Sequence, residues 1–212
     1  MYIYYPSCNF MKTSMQTEKK VKTYLKNHFN INHTKCCQYE DLSSLRKYIG
    51  ITVCQACNET IQKREPNIKR ISIWEFIDQD SNFIFPDFHG EKMILQDCFR
   101  DRTNTSAYKA VRSVMCKMNI EVIELENNQE NANFCGLLHY EPINTKLKEL
   151  WAKYDYCKPS HLPIEIQKRF MEEHVSLYQN HKVVCYCNSC LRGILKGGGN
   201  GFHLLDLVMK EY

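Results

Sequence analysis

The 212 residues carry 28 lysines and arginines against 24 aspartates and glutamates, a formal net charge of +4, and include 12 cysteines. So small a charge, with lysines scattered among asparagines and glutamates, gives no basis for nucleic-acid binding, and no stretch approaches the roughly 18 consecutive apolar residues that span a bilayer. The first residues, Met-Tyr-Ile-Tyr-Tyr-Pro, place no basic segment before the apolar ones, unlike a secretory signal. The expectation is therefore a cytoplasmic protein of two domains of about 100 residues each, in which cysteines are read first as metal ligands or redox centres and only second as disulfides.

In chain order, a strand over 2–5 leads into Cys8. A helix over about 17–29 follows, with Val21, Tyr24, Leu25 and His28 along one face. After the adjacent pair Cys36-Cys37 comes a short helix over about 40–49. A strand from Ile51 to Val53 then runs into Cys54, the first residue of the C-x-x-C it forms with Cys57, and a helix starts there. The apolar run Ile71–Ile77 reads as strand-like, with the strand itself at about 70–74. Pro86-Asp87-Phe88-His89-Gly90 is the natural joint, which gives a first domain over 1–85 and a second over 91–212.

The second half repeats these events. A shift of 90 residues lays Cys8 on Cys98, and the helix stripe on Val111, Val114, Met115 and Met118. Helices are expected over 144–154 and 163–178, the latter with Ile166, Phe170, His174 and Leu177 on one face. Cys187-Asn188-Ser189-Cys190 then matches Cys54-Gln55-Ala56-Cys57, and Phe202–Val208 matches Ile71–Ile77. Lys196-Gly197-Gly198-Gly199-Asn200-Gly201 has neither the Gly-Lys-Ser/Thr ending nor the G-x-G-x-x-G spacing of a phosphate loop, and reads as a flexible link into the last strand. The fold class is α/β: two similar small domains, each a short, mainly parallel sheet with flanking helices, related by internal duplication.

The cysteines punctuate strand ends, where ligands collect in open α/β sheets. Each half gathers thiols from three separate segments, the arrangement that holds soft metals and iron–sulfur clusters. Tyr4-Tyr5-Pro6-Ser7-Cys8, Cys36-Cys37 and Val53-Cys54-Gln55-Ala56-Cys57, followed by Asp97-Cys98, Phe134-Cys135-Gly136 and the second C-x-x-C, resemble the tandem cysteine-rich CCG domain. That domain occurs in the heterodisulfide reductases and in related iron–sulfur oxidoreductase subunits, and the resemblance covers nearly the whole chain.

The resemblance implies metal ligation by Cys8, Cys36, Cys37, Cys54 and Cys57 in the first copy and by Cys98, Cys135, Cys187 and Cys190 in the second. It implies a 4Fe-4S cofactor, non-cubane at the five-cysteine first site, where a thiol or disulfide substrate would be reduced. Gln38 stands where the family usually has glycine, and 16 residues separate Cys37 from Cys54. Phe134 replaces the first cysteine of the second pair, which leaves four thiolates, a set suited to a cubane cluster or to tetrahedral zinc. Cys185 is a candidate extra ligand, since neighbours at i and i+2 of a strand share a face. Two adjacent ligands need a turn at Cys36-Cys37 to bring both to one metal.

The chain has no dinucleotide fingerprint and no ferredoxin-type cysteine run, so electrons would come from a partner protein, either ferredoxin-like or a flavoprotein. The alternative is a zinc-stabilised, cysteine-rich interaction module without catalysis. A third reading treats Cys54 and Cys57 as a thioredoxin-like dithiol activated by the following helix. Cys116 is expected in the helix core and Cys157 as a free surface thiol. His203 is read as a structural histidine, His139 as a substitute ligand, and Asp97 and Arg102 as residues that tune Cys98, dock an anion or sit in solvent. No separate catalytic residue is identified.

Overall fold

The computed structural model describes residues 1–212 and contains two four-stranded sheets, both entirely parallel. The first sheet is built from β1 (Tyr2–Tyr5), β2 (Asn32–His33), β3 (Ile49–Thr52) and β4 (Arg70–Ser72). The second uses β5 (Glu91–Gln96), β6 (Ile120–Glu124), β7 (Val183–Cys185) and β8 (Gly201–His203). Their orders are β2-β1-β3-β4 and β6-β5-β7-β8, the same path taken twice. In the first sheet Ile3 faces Asn32 on one side and Gly50 on the other; in the second Ile94 faces Ile123 and Val183. The duplication read from cysteine order is thus matched strand for strand.

Two compact units result. One comprises Met1–Asp87, Lys109–Met118 and Leu205–Tyr212, the other Phe88–Tyr108 and Asn119–Leu204. In the first, α1 (Cys8–Thr13) and α2 (Met15–Phe29) follow β1, α3 (Gln55–Arg64) follows β3, and α4 (Ile73–Gln79) follows β4. Ile51, Ile61, Ile73, Trp74 and Ile77 are at most 1% exposed, so the strands are covered by their own crossover helices. In the second half, α5 (Thr105–Lys117) follows β5, while α6 (Thr145–Ala152) and α7 (Ile164–Ser176) lie between β6 and β7, where the first half has no α-helix; α8 (Asn188–Lys196) follows β7 and α9 (Leu204–Val208) follows β8, as α3 and α4 follow β3 and β4.

Two local expectations are corrected, and one helix is added. The run 71–77 is strand for only its first two residues, because Ser72 opens a capping box: its hydroxyl accepts from the Glu75 N–H while the Glu75 carboxylate accepts from the Ser72 N–H. The apolar residues beyond it therefore form α4, and the run 202–208 likewise passes from β8 into α9. The helix expected over 40–49 shrinks to a single 3-10 turn at Ser43–Leu45, since the Asp41 carboxylate accepts from the N–H and hydroxyl of Ser43 and fixes a turn, after which β3 begins at Ile49. The helix α1, for which the sequence pattern gave no expectation, starts because Ser7 caps it through the Phe10 N–H. No helix is long and apolar enough to cross a membrane.

Ser72→Ala removes one half of the capping box and should cost about 1 kcal/mol of stability, read as a lower urea midpoint with an unchanged slope.

Candidate metal centres

Cys36-Cys37 and Cys135 come after the edge strands β2 and β6, whereas Cys8 and Cys54, like Cys98 and Cys187, follow the two central strands, β1 with β3 and β5 with β7. The chain leaves these strands toward opposite sides, which opens a crevice at their carboxyl ends. Cys54 and Cys187 occupy equivalent places as N-caps of α3 and α8, with φ, ψ of −119°, 130° and −123°, 124°. Cys57 and Cys190 then lie in the first helical turn, where partial positive charge favours thiolate over thiol.

The second-half centre is compact. The Sγ atoms of Cys98, Cys135, Cys187 and Cys190 all lie within 4.8 Å of one another, with Cys98 and Cys135 at 3.6 Å. Three of the four residues are at most 1% exposed, and Cys187 is half-buried. The Cys135 thiol is pulled far below its ordinary range by contacts with Cys187, Cys190 and Cys98. The contact with Cys135 first of all raises Cys98, and burial first of all raises Cys190. One site ionises at its neighbours' expense, because clustered thiolates repel one another without a cation among them. The donor set is that of a metal site, and these four residues can hold an ion.

Close backbone contacts build this cluster. Gly136 has φ +54°, and a Cβ there would stand 2.0 Å from the Ser189 carbonyl oxygen. The Ser189 hydroxyl donates to the Cys135 carbonyl at 2.8 Å, and the Cys135 N–H donates to the His139 carbonyl at 2.8 Å. Phe134 is fully buried and its ring stacks on His174 at 3.6 Å. His174 in turn donates to Gln96 Oε1, which also accepts from the Tyr178 hydroxyl, each at 2.8 Å.

Several flanking residues differ from their expected roles. Asp97 is 1% exposed and accepts from the Tyr186 hydroxyl at 2.9 Å and the Gln129 N–H at 2.9 Å, so solvation does not explain it; the same Tyr186 oxygen accepts from the Cys98 N–H. Arg102 lies over the Phe99 ring at 3.9 Å, with His139 stacked on that ring at 3.4 Å; neither joins the four sulfurs. The Cys185 thiol donates to the Phe202 carbonyl at 3.6 Å and also stands outside the group. The strand ends at Cys185, so the i, i+2 alternation does not reach Cys187. His203 is buried, which lowers its pKa to about 4 and keeps it neutral. Cys116 directly follows Met115 of the α5 stripe but is exposed and not in the core, and Cys157 is half-buried.

The first-half centre is more open. Cys8 and Cys36 have their sulfurs 3.4 Å apart. The Cys37 thiol is in hydrogen-bond contact with those of Cys57 and Cys36, and Cys57 with those of Cys37 and Cys54. All five thiols therefore form one continuous chain, Cys8 to Cys36 to Cys37 to Cys57 to Cys54. Contact with Cys57 first of all brings Cys37 down to about 7, while Cys57 is raised. Cys37 and Cys57 are buried; Cys8, Cys36 and Cys54 are half-exposed.

The turn required at Cys36-Cys37 is present. The Cys36 carbonyl accepts from the N–H groups of Tyr39 and Glu40. Arg64, at the far end of the helix that Cys54 caps, donates to the carbonyls of Cys37 at 2.6 Å and Glu40 at 3.1 Å. One helix thus presents two thiols at its start and clasps the turn carrying two more at its end. Gln38 does not adopt positive φ, so this turn manages without the glycine that Cys135 has beside it. Arg64, Asp97 and the His174–Gln96–Tyr178 group carry roles that sequence reasoning missed; only Asp97, beside Cys98, gave any signal there.

Comparison of the chain with protein-family models, curated proteins and solved structures finds no match in any of the three.

Gly136→Ala places a methyl group against the Ser189 backbone in a left-handed conformation. It should abolish metal retention at the second-half centre while the first-half centre still binds, as read by metal stoichiometry. His174 is 3% exposed and burial lowers its pKa to about 3. The unfolded histidine protonates near 6.5, so this contribution to stability is complete above that pH and is lost as pH falls toward 3, by about 2 kcal/mol at pH 5. Denaturant titrations from pH 7 to 5 should show a flatter dependence for His174→Phe than for the unmodified protein.

Proposed function

We propose that the chain is a two-centre metal–thiolate protein. The first-half centre serves electron transfer and thiol or disulfide reduction as an iron–sulfur site, and the second-half centre is a closed structural site for one tetrahedral zinc ion. The observation that carries this is the contrast between the two sulfur groups. Around a single zinc ion, with Zn–S about 2.3 Å, tetrahedral geometry puts sulfurs about 3.8 Å apart, which agrees with the compact, buried second group. In a four-iron cubane each thiolate binds a different iron, so the sulfurs stand farther apart than around one ion.

The first group has one thiol more than a tetrahedral ion can use, and its sulfurs are strung in sequence. That suits a centre of several metal ions, as does the resemblance of Cys8, Cys36-Cys37 and Cys54–Cys57 to the five-thiolate site of the heterodisulfide reductases. When bound there, an iron–sulfur cluster supplies single electrons and an iron able to take a sulfur ligand. The protein's part is to hold the adjacent pair in one turn through Arg64 and to present Cys54 and Cys57 at a helix start. The half-exposed side of Cys8, Cys36 and Cys54 leaves an approach for a small thiol or disulfide and for an electron-donating partner, ferredoxin-like or a flavoprotein.

Protein prepared without oxygen should be brown and contain about four irons and one zinc. Cys37→Ser should change the paramagnetic signal and leave the zinc in place; Cys135→Ser should lose the zinc. Colourless protein with zinc in both halves would instead favour a zinc-stabilised interaction module. Disulfide-reducing activity that survives Cys37→Ser would favour a simple Cys54/Cys57 dithiol.

A further inference from the structure

Tyr5 ends β1 and packs in a buried cluster with Cys37, Cys57, Leu42, Ile61 and Ile68. Gly50, on the neighbouring strand, makes room for its ring: a Cβ there would lie 2.8 Å from Tyr5 Cε2. Tyr5 is 1% exposed, yet its hydroxyl finds no hydrogen-bond partner in the protein. A buried hydroxyl left in that state is costly, and such groups call for a partner that the polypeptide alone does not provide. A tyrosine hydroxyl offers one O–H donor. The cluster it shares with Cys37 and Cys57 places Tyr5 among the first-half cysteines.

Tyr4 supplies an internal comparison. Its hydroxyl is also buried and partnerless, but successive residues of a strand face opposite sides of the sheet, and the charges near it are Glu18 on α2 first and Cys57 second. The cluster of cysteines lies on the Tyr5 side.

We infer that the Tyr5 hydroxyl donates a hydrogen bond to a sulfur atom of the metal-loaded first-half centre, so that Tyr5 is a positioning residue which favours the loaded over the metal-free protein. This rests on the reading of the first-half cysteines as a metal centre, but not on whether the metal is iron or zinc. Hydrogen bonds to metal-bound sulfur stabilise its negative charge, and in an iron–sulfur site they raise the reduction potential.

The test compares Tyr5→Phe, Tyr4→Phe and unmodified full-length protein, each metal-free and loaded with cobalt(II), zinc(II) or iron and sulfide. Metal-free Tyr5→Phe should melt at or above the unmodified protein, because an unsatisfied hydroxyl is gone. Loaded Tyr5→Phe should melt below its loaded counterpart and bind metal at the more exposed centre about tenfold more weakly in chelator competition. The sulfur-to-cobalt charge-transfer band should move to lower energy, and with iron the potential should fall; Tyr4→Phe should do none of these. An equal change in metal-free and loaded protein, an unchanged affinity and band, or failure of metal-free Tyr5→Phe to fold would each overturn the inference. So would a first-half centre that takes up no metal. Uptake of zinc but never iron would overturn only the redox reading, since the Tyr5 comparison is complete with zinc or cobalt.

Discussion

Mutual repulsion among clustered thiolates is the constraint on which this molecule turns. Nine cysteines lie beyond the carboxyl ends of parallel strands, and three of them, Cys8, Cys57 and Cys190, sit in the first turn of helices whose starts favour ionised sulfur. Bringing four sulfurs within 4.8 Å of one another is unfavourable if they ionise together and wasteful if they serve only as small apolar groups. A cation resolves this conflict, and the surrounding contacts hold the sulfurs in position to receive one. The Gly136–Ser189 approach, the Arg64 clasp and the buried Asp97–Tyr186 pair beside Cys98 all fix backbone that carries a cysteine.

The same α/β unit supports two different surroundings for sulfur. In the second half, Phe134 stacks on a neutral histidine and the four sulfurs close on one point. In the first half a fifth thiol remains, and three of its cysteines reach solvent. Structural metal sites are closed and reactive ones keep an open side. The two copies thus differ in one thiol and in how far their sulfurs reach solvent.

Much of this was legible in the sequence, because the strongest signals were local. The strand at Tyr2–Tyr5, the helix start at each C-x-x-C and the repeated order of events depend on near neighbours, and the parallel sheets follow from strands separated by helices. Where short-range hydrogen bonds compete with hydrophobic pattern, pattern misled: Ser72 and Glu75 cap a helix inside a run that reads as strand, and Asp41 makes a turn where a helix was expected. Burial of Asp97 and exposure of Cys116 depend on packing between distant segments, which a single sequence does not display. Nor does any pattern mark Tyr5 as a buried donor lacking an acceptor. That requires knowing what surrounds its oxygen.

The spacing of ligands along the chain also bears on how each centre is completed during synthesis. The five first-half cysteines lie between residues 8 and 57, whereas the four of the other half run from 98 to 190. A growing polypeptide therefore contains all five first-half thiols before Cys98 is added. The second-half group is spread over a far longer stretch, and its early thiols at Cys98 and Cys135 are exposed to mispairing until α8 arrives.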